Sequence, residues 1–174
     1  MKTVGYYTNP RLAEADVQTI RQAFDSDLEW LDNSYPIAHI NINENETFPV
    51  IYANDGSWES YDLRPNDTVD SYCFFEYLGG DVGDDNDINT FSLATVFWVD
   101  LEGLDPAIDE DYTFNLVSDV VRILKEQGAY SISIDFDPFA LYNFDYKLLR
   151  RYTGFRITFT VYSDNKGCDF DVTA

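Results

Sequence analysis

The residues of this chain best suited to chemistry are carboxylates that stand close together. Asp135 and Asp137 flank Phe136, so a strand here would place both carboxylates on one face, about 7 Å apart. That separation suits a general acid and base, or two metal ligands. Asp100 and Glu102 repeat the spacing. Such pairs are common in any acidic chain, so the metal-dependent hydrolase that they would indicate ranks third, below two interpretations given further on.

A second candidate is the acidic segment from Asp84 to Asn89, because hard cations bind where several oxygen ligands stand close together. The segment does not fit the calcium-loop pattern. Counted from Asp85, Thr90 stands where the turn glycine belongs and Val96 where the bidentate glutamate belongs. A solvated loop is the simpler interpretation. We therefore predict no metal site and no cofactor.

The histidine and the two cysteines form no recognisable catalytic arrangement. His39 has no second histidine with which to share a metal, and no motif places a serine or cysteine beside it, which favours a structural or surface role. Cys73 and Cys168 are too few for a disulfide framework; a bridge stays open, and reduced thiols are favoured. The chain also lacks a nucleophile elbow, a phosphate loop and a dinucleotide fingerprint. We predict no catalytic residue and no enzyme activity.

Net charge is the strongest signal in the composition. The chain carries 32 Asp and Glu against 11 Lys and Arg, a formal charge of -21, although 45% of its residues are hydrophobic and 17% aromatic. Aromatic side chains bury large areas and offset the conformational entropy of folding, so we expect a folded body with a negative surface. Such a surface repels nucleic acid and anionic lipid. The chain has no long apolar run, so we predict that it is neither exported nor anchored in a membrane.

The charges are unevenly distributed along the chain. No lysine or arginine occurs between Arg64 and Arg122, a stretch rich in Asp and Glu. Acidic residues of this stretch that we predict to line a channel or rim are Asp81, Asp84, Asp85 and Asp87. A basic cluster near the C-terminus consists of Lys147, Arg150, Arg151 and Arg156. Because arginine binds carboxylates in bidentate fashion, we predict that this basic cluster contacts the acidic surface of a neighbouring subunit.

Two amphipathic segments predict the main helices. Asn9 and Pro10 suit the start of a helix over about 10–31, which carries an apolar stripe at three- and four-residue intervals. A second helix is predicted over about 110–127, with acidic residues at its start and Gly128 after its end.

Alternating or apolar runs predict the strands. They cover residues 35–42, 48–53, 69–78, 91–101, 130–136 and 155–162. The segment 91–101 is apolar on both faces, which indicates a central strand, whereas 155–162 alternates and predicts one solvent-facing side. The turn Asn54-Asp55-Gly56 predicts a hairpin. Together these elements predict one α+β domain over residues 1–174, a mostly antiparallel sheet packed by two main helices.

Four segments carry a resemblance to a known family. They are FSLATVFWVDLEGLD, FNLVSDVVRILKEQG, SISIDFDPF and YKLLRRYTGFRITFTVYS, and the stronger part of the resemblance covers residues 91–163. In element order and aromatic-rich strands they resemble tail-terminator, tail-completion or neck ring proteins of tailed bacteriophages, in the style of crAss-like or Bacteroidetes phages. The chain departs from that pattern in its long acidic middle and in the strand-rich stretch 35–78.

The resemblance implies a virion structural protein, a phage tail or head–tail connector component made in the host cytoplasm. Identical copies would form a homo-oligomeric ring that contacts neighbouring connector or tail proteins. DNA would pass through the channel without specific binding, and no membrane would be involved.

The acidic surface also suits an inhibitor that mimics DNA and occupies the basic cleft of a restriction or CRISPR nuclease. A mimic needs its acids spread along an elongated face at phosphate-like spacing. A ring subunit concentrates them on a lumen or rim and keeps a separate adhesive surface. The sequence leaves both alternatives open.

Overall fold

A computed structural model describes residues 10–52, 60–65, 70–81, 89–104, 112–144 and 152–163. The helices are α1 (Ala13–Asp27), α2 (Leu101–Leu104) and α3 (Thr113–Glu126). The strands are β1 (Asn33–Ile37), β2 (His39–Ile42), β3 (Thr47–Tyr52), β4 (Ser60–Asp62), β5 (Tyr72–Asp81), β6 (Asn89–Asp100), β7 (Tyr130–Asp135) and β8 (Tyr152–Ser163). A five-stranded sheet has the order β1-β5-β6-β8-β7, and a three-stranded sheet the order β2-β3-β4. β1 runs parallel to β5 and the other described pairs are antiparallel, which confirms the predicted α+β class.

The middle of the large sheet is β6, as its two apolar faces predicted. It pairs along its length with β5 on one side and with β8 on the other. Leu93 and Phe97 point to the helices, whereas Val96 and Trp98 point to the opposite side, and all four are fully buried. A strand buried on both faces needs covering layers on both sides of the sheet.

The first covering layer consists of α1 and α3. Their apolar stripes pack on the sheet in one cluster. The stripe residues with the least exposure are Val17, Ile20, Phe24, Leu116, Val120, Ile123 and Leu124. The helix predicted over 110–127 is therefore confirmed in place, with bounds Thr113–Glu126.

The helix predicted over 10–31 was too long at both ends. Leu12 has φ 51°, outside the right-handed helical region, so α1 begins at Ala13. Leu28 has φ −104° and ψ 84° and ends α1 after Asp27. Leu28 stays buried beyond the end of the helix, which explains why the apolar spacing continued past it. Asn9 lies outside the described residues.

The second covering layer is the small sheet together with the segment after β7. A second group of buried side chains, which we call the second cluster, joins this layer to the large sheet. It contains Tyr35, Ile51, Leu63, Tyr72, Phe74, Val96, Trp98, Phe139 and Tyr152. The cluster covers only part of that face. On β8, Tyr152 and Arg156 are buried, whereas Tyr162 is 59% exposed. The prediction that one side of β8 faces solvent is therefore wrong for the first half of the strand, because the second covering layer lies on it.

The stretch predicted as one strand over 35–42 divides between the two sheets. β1 pairs with β5 and β2 pairs with β3, with Ala38 between them. The Ala38 N–H donates to the carbonyl of Phe75 at 2.8 Å, which holds the crossing point against the large sheet. β3 and β4 then pair antiparallel, which confirms the predicted hairpin; its turn at Asn54-Asp55-Gly56 lies outside the described residues.

Alkaline pH should destabilise the second cluster through its buried tyrosines. Burial, with smaller contributions from Asp70 and Cys73, raises the pKa of Tyr35 to about 12. Tyrosine in the unfolded chain ionises near about pH 10, so the stabilising effect is complete below that pH and disappears as the pH rises towards 12. We expect Tyr35→Phe to weaken this decline by on the order of 2 kcal/mol.

The measurement is urea unfolding between about pH 9 and 12, a window set by the unfolded tyrosine pKa. Tyr52→Phe, which changes a side chain that is 48% exposed, is the matched control and should leave the decline as in the native chain. Equal declines for Tyr35→Phe and the native protein would contradict the assignment.

Candidate functional site

The carboxylates of Asp135 and Asp137 shape a turn. Asp135 Oδ1 accepts the backbone N–H of Asp137 at 2.9 Å, and Asp137 Oδ1 accepts that of Phe139 at 3.3 Å. The turn carries the Phe139 ring into the second cluster. Among the described residues, no group of three His, Cys, Asp or Glu could hold a metal ion. The geometry of this pair fits a structural role, and it gives the hydrolase interpretation no support.

The carboxylates of the second pair, Asp100 and Glu102, lie in different surroundings. Asp100 Oδ1 accepts the N–H of Gly103 at 3.2 Å, and the Asp100 N–H donates to Ser71 Oγ at 3.0 Å. Asp100 thus joins the end of β6 to α2 and to the start of β5. Glu102 is exposed.

His39 and Cys73 occupy settings without catalytic partners in the described part of the chain. The His39 ring lies on exposed β2, with its centroid 5.2 Å from that of Tyr52. Cys73 is fully buried, and burial raises the pKa of its thiol, so the thiol stays protonated and unreactive. Cys168 and residues 84–88 of the calcium-like segment lie outside the described residues.

Arg156 of the predicted basic cluster is buried inside the chain. Its Nε donates to Glu76 Oε2 at 2.7 Å, and the two side chains are only 9% and 6% exposed. The pair spans β6, where Ala94 lies opposite Glu76 and leaves room for the guanidinium. Burial and the Glu76 carboxylate together raise the pKa of the nearby Tyr142.

This ion pair corrects the role predicted for Arg156. A guanidinium that is buried against a carboxylate of its own chain is not on the surface that a neighbouring subunit would meet. The remaining members of the basic cluster are Lys147, Arg150 and Arg151, which lie outside the described residues. Their contact with a neighbour stays a prediction.

Of the four residues predicted to form the acidic channel or rim, one lies among the described residues. Asp81 ends β5 and is exposed. Asp84, Asp85 and Asp87 lie outside the described residues, so the rim also stays a prediction.

A nearly neutral surface lies beside this acidic body, and the sequence analysis missed it. Residues 113–135, which form α3 and β7, contain two basic and three acidic residues, a net charge of -1 in a chain of -21. Arg122 Nη1 also binds Glu126 Oε1 at 3.1 Å along α3. We call α3 and β7 the neutral sector. A charge count in a sliding window would have found it.

Exposed apolar side chains lie on the neutral sector and, in the case of Phe136, directly after it. Phe114 is 61% exposed, Ile134 43% and Phe136 48%. The rings of Phe114 and Phe136 meet edge to face with centroids 5.5 Å apart, which places the start of α3 beside the end of β7. We call these three residues the apolar cluster. Exposed apolar side chains that meet at a surface are typical of protein contact sites.

Comparisons with known proteins do not identify the chain, since no family model, curated protein or solved structure matches it. The resemblance to phage tail-terminator proteins therefore stays a prediction. No helix in the described ranges is both long and apolar enough to cross a membrane.

Proposed function

We propose that this protein is a non-enzymatic virion subunit of a head–tail connector or tail-terminator ring that surrounds a DNA channel. The supporting observation is the low charge of the neutral sector, which is -1 over residues 113–135 where an equal share of the chain's -21 would be about -3. Copies that carry the same strong charge repel each other least where the local charge is low. The neutral sector, with its exposed apolar cluster, is suited to contact between copies.

The acidic remainder of the surface suits the channel. Carboxylates that face a lumen repel the phosphate backbone and keep passing DNA from adhering to the wall. The exposed Asp81, at the end of β5, belongs to such a surface. Assembly in the host cytoplasm and residence in the virion follow from this function.

The non-enzymatic part of the proposal is supported by how the best catalytic candidates are used. Oxygens of Asp100, Asp135 and Asp137 accept backbone N–H groups of turns or of a helix start. Carboxylates engaged in this way position the chain.

The second candidate function is a DNA mimic that inhibits a nuclease. It is favoured by Asp27 and Glu29, which are exposed at the C-terminal end of α1, where the last turn holds no basic residue. Negative charge at that end opposes the helix dipole. Carboxylates at a helix end where they lower the stability of the helix suit a surface that binds the basic cleft of a nuclease.

Assembly and nuclease inhibition distinguish the two functions. We expect the purified protein to form a ring-sized oligomer in size-exclusion chromatography with light scattering, with closed particles in electron microscopy. We also expect no stoichiometric inhibition of a panel of restriction and CRISPR nucleases. A monomer that inhibits them potently, with inhibition that weakens steeply at moderate salt and is absent from an acidic control protein of similar charge, would overturn the ring proposal.

A further inference from the structure

The described strands leave four sheet edges, and two of them are open to another chain. An edge strand offers unpaired N–H and C=O groups to an incoming strand. β1 is a poor edge because Pro36 lacks an N–H and because the strand packs against α1. β4 has only three residues, and Asp62 at its end binds the guanidinium of Arg64, so a charged pair lies at this edge. The remaining edges belong to β7 and β2.

β7 lacks some of the features that normally protect an edge and keeps others, a register irregularity and a terminal carboxylate. It holds no proline or lysine, and its one ionisable carboxylate is Asp135 at its end. Ser131 has φ 52° and the register shifts between Tyr130 and Ser133, so the regular free edge runs over 133–135. The apolar cluster continues this edge towards α3.

β2 is the second open edge and contains no Asp, Glu, Lys or Arg. Its four residues read His-Ile-Asn-Ile, and all are exposed. Ile40 is 60% exposed and Ile42 is 74% exposed. One side of β2 bonds to β3 and the other side is the end of the small sheet.

We propose that the free edge of β7 in one copy pairs with the free edge of β2 in the next copy, where Ile40 and Ile42 cover the apolar cluster. The two strands together hold one carboxylate, Asp135, and no lysine or arginine in a chain of -21, so a like-charged copy can approach there. The contact joins two different surfaces, and each copy carries one of each, so it repeats head to tail and closes if the rotation allows. The closure of the ring rests on the proposed function.

Cross-linking tests which surfaces meet. In a Cys168→Ala background, which leaves the buried Cys73, we would introduce Ser133→Cys, Asn41→Cys or both, and add a short bis-maleimide. The double variant should give a ladder of dimers, trimers and larger species. An equal mixture of the two single variants should stop at dimers, and each single variant alone should stay monomeric in denaturing gels.

Other outcomes overturn the proposal in distinguishable ways. Dimers from Ser133→Cys alone would show β7 paired with itself. A native protein that assembles while no variant cross-links would overturn this interface and leave the ring function intact. A native protein that stays monomeric at high concentration would overturn both.

Charge substitutions test the same interface without cysteine. Ile134→Asp and Ile42→Asp should each raise the dissociation constant of self-association at least about tenfold, since each places a carboxylate in a buried apolar contact. Leu141→Asp changes a side chain that is 53% exposed and outside both edges, and it is the matched control. Equal constants for all three variants in sedimentation velocity would refute the pairing.

Discussion

Leu124→Asp is expected to abolish the cooperative thermal unfolding transition of this protein. Leu124 lies on α3 with no exposed surface and packs in the cluster that joins both helices to the large sheet. A carboxylate without a partner there costs several kcal/mol as an order of magnitude, out of a total stability of about 5–15 kcal/mol. Circular dichroism during heating would measure the loss.

The matched control is Asn115→Asp, which adds the same charge at an exposed position of the same helix. Its effect should stay within about 0.5 kcal/mol. If Leu124→Asp unfolded at the same temperature as this control, α3 would not bury the stripe described above.

Arg156→Met is expected to give the second large effect. The substitution leaves the Glu76 carboxylate buried without the guanidinium that binds it at 2.7 Å. Breaking one side of a buried ion pair typically costs about 3–5 kcal/mol, mostly because the other charge stays behind. The double variant Glu76→Gln with Arg156→Met should recover much of this loss, because no unpaired charge is left. Denaturant titrations of the two single variants and the double variant would give the coupling free energy.

The exposed pair on α3 provides the comparison. Arg122 and Glu126 meet at 3.1 Å with side chains 51% and 53% exposed, so solvent screens their attraction. Arg122→Met should cost about 0.5 kcal/mol or less. If Arg156→Met and Arg122→Met destabilised the protein equally, the burial assigned to the Glu76–Arg156 pair would be wrong.

The elements that the sequence predicted well are those whose signal lies within one segment. In α3, Leu116, Val120 and Leu124 repeat at helical spacing, and this requires only that one face of a helix be buried. β6 was assigned as a central strand because residues on both its faces are apolar, and it pairs on both sides. Local periodicity is sufficient in both cases because burial acts on whole faces.

The ends of α1 show where local signals stop. The apolar spacing continues through Leu28, which is buried although it lies directly after the end of the helix. Burial of a side chain does not require helical backbone, so periodicity overestimated the length. The same limit hid the change of sheet at Ala38, where one apolar stretch serves two sheets.

The candidate site shows a similar division. The excess of carboxylates and the absence of familiar catalytic motifs could be read directly from composition and spacing. The role of Arg156 could not, because its partner Glu76 is 80 residues away in the chain. Charge type is a property of one residue, whereas burial and pairing depend on which strands become neighbours.

The sequence by itself determined the α+β class, the acidic surface, the position of α3 and the central place of β6, because each follows from composition or from periodicity within one segment. Only the tertiary structure decided that Arg156 is buried against Glu76, that Asp135 and Asp137 support a turn, and that β2 and β7 are edge strands among the described strands. These features depend on strand order and on the covering of each face, and both arise from contacts between segments far apart in the chain.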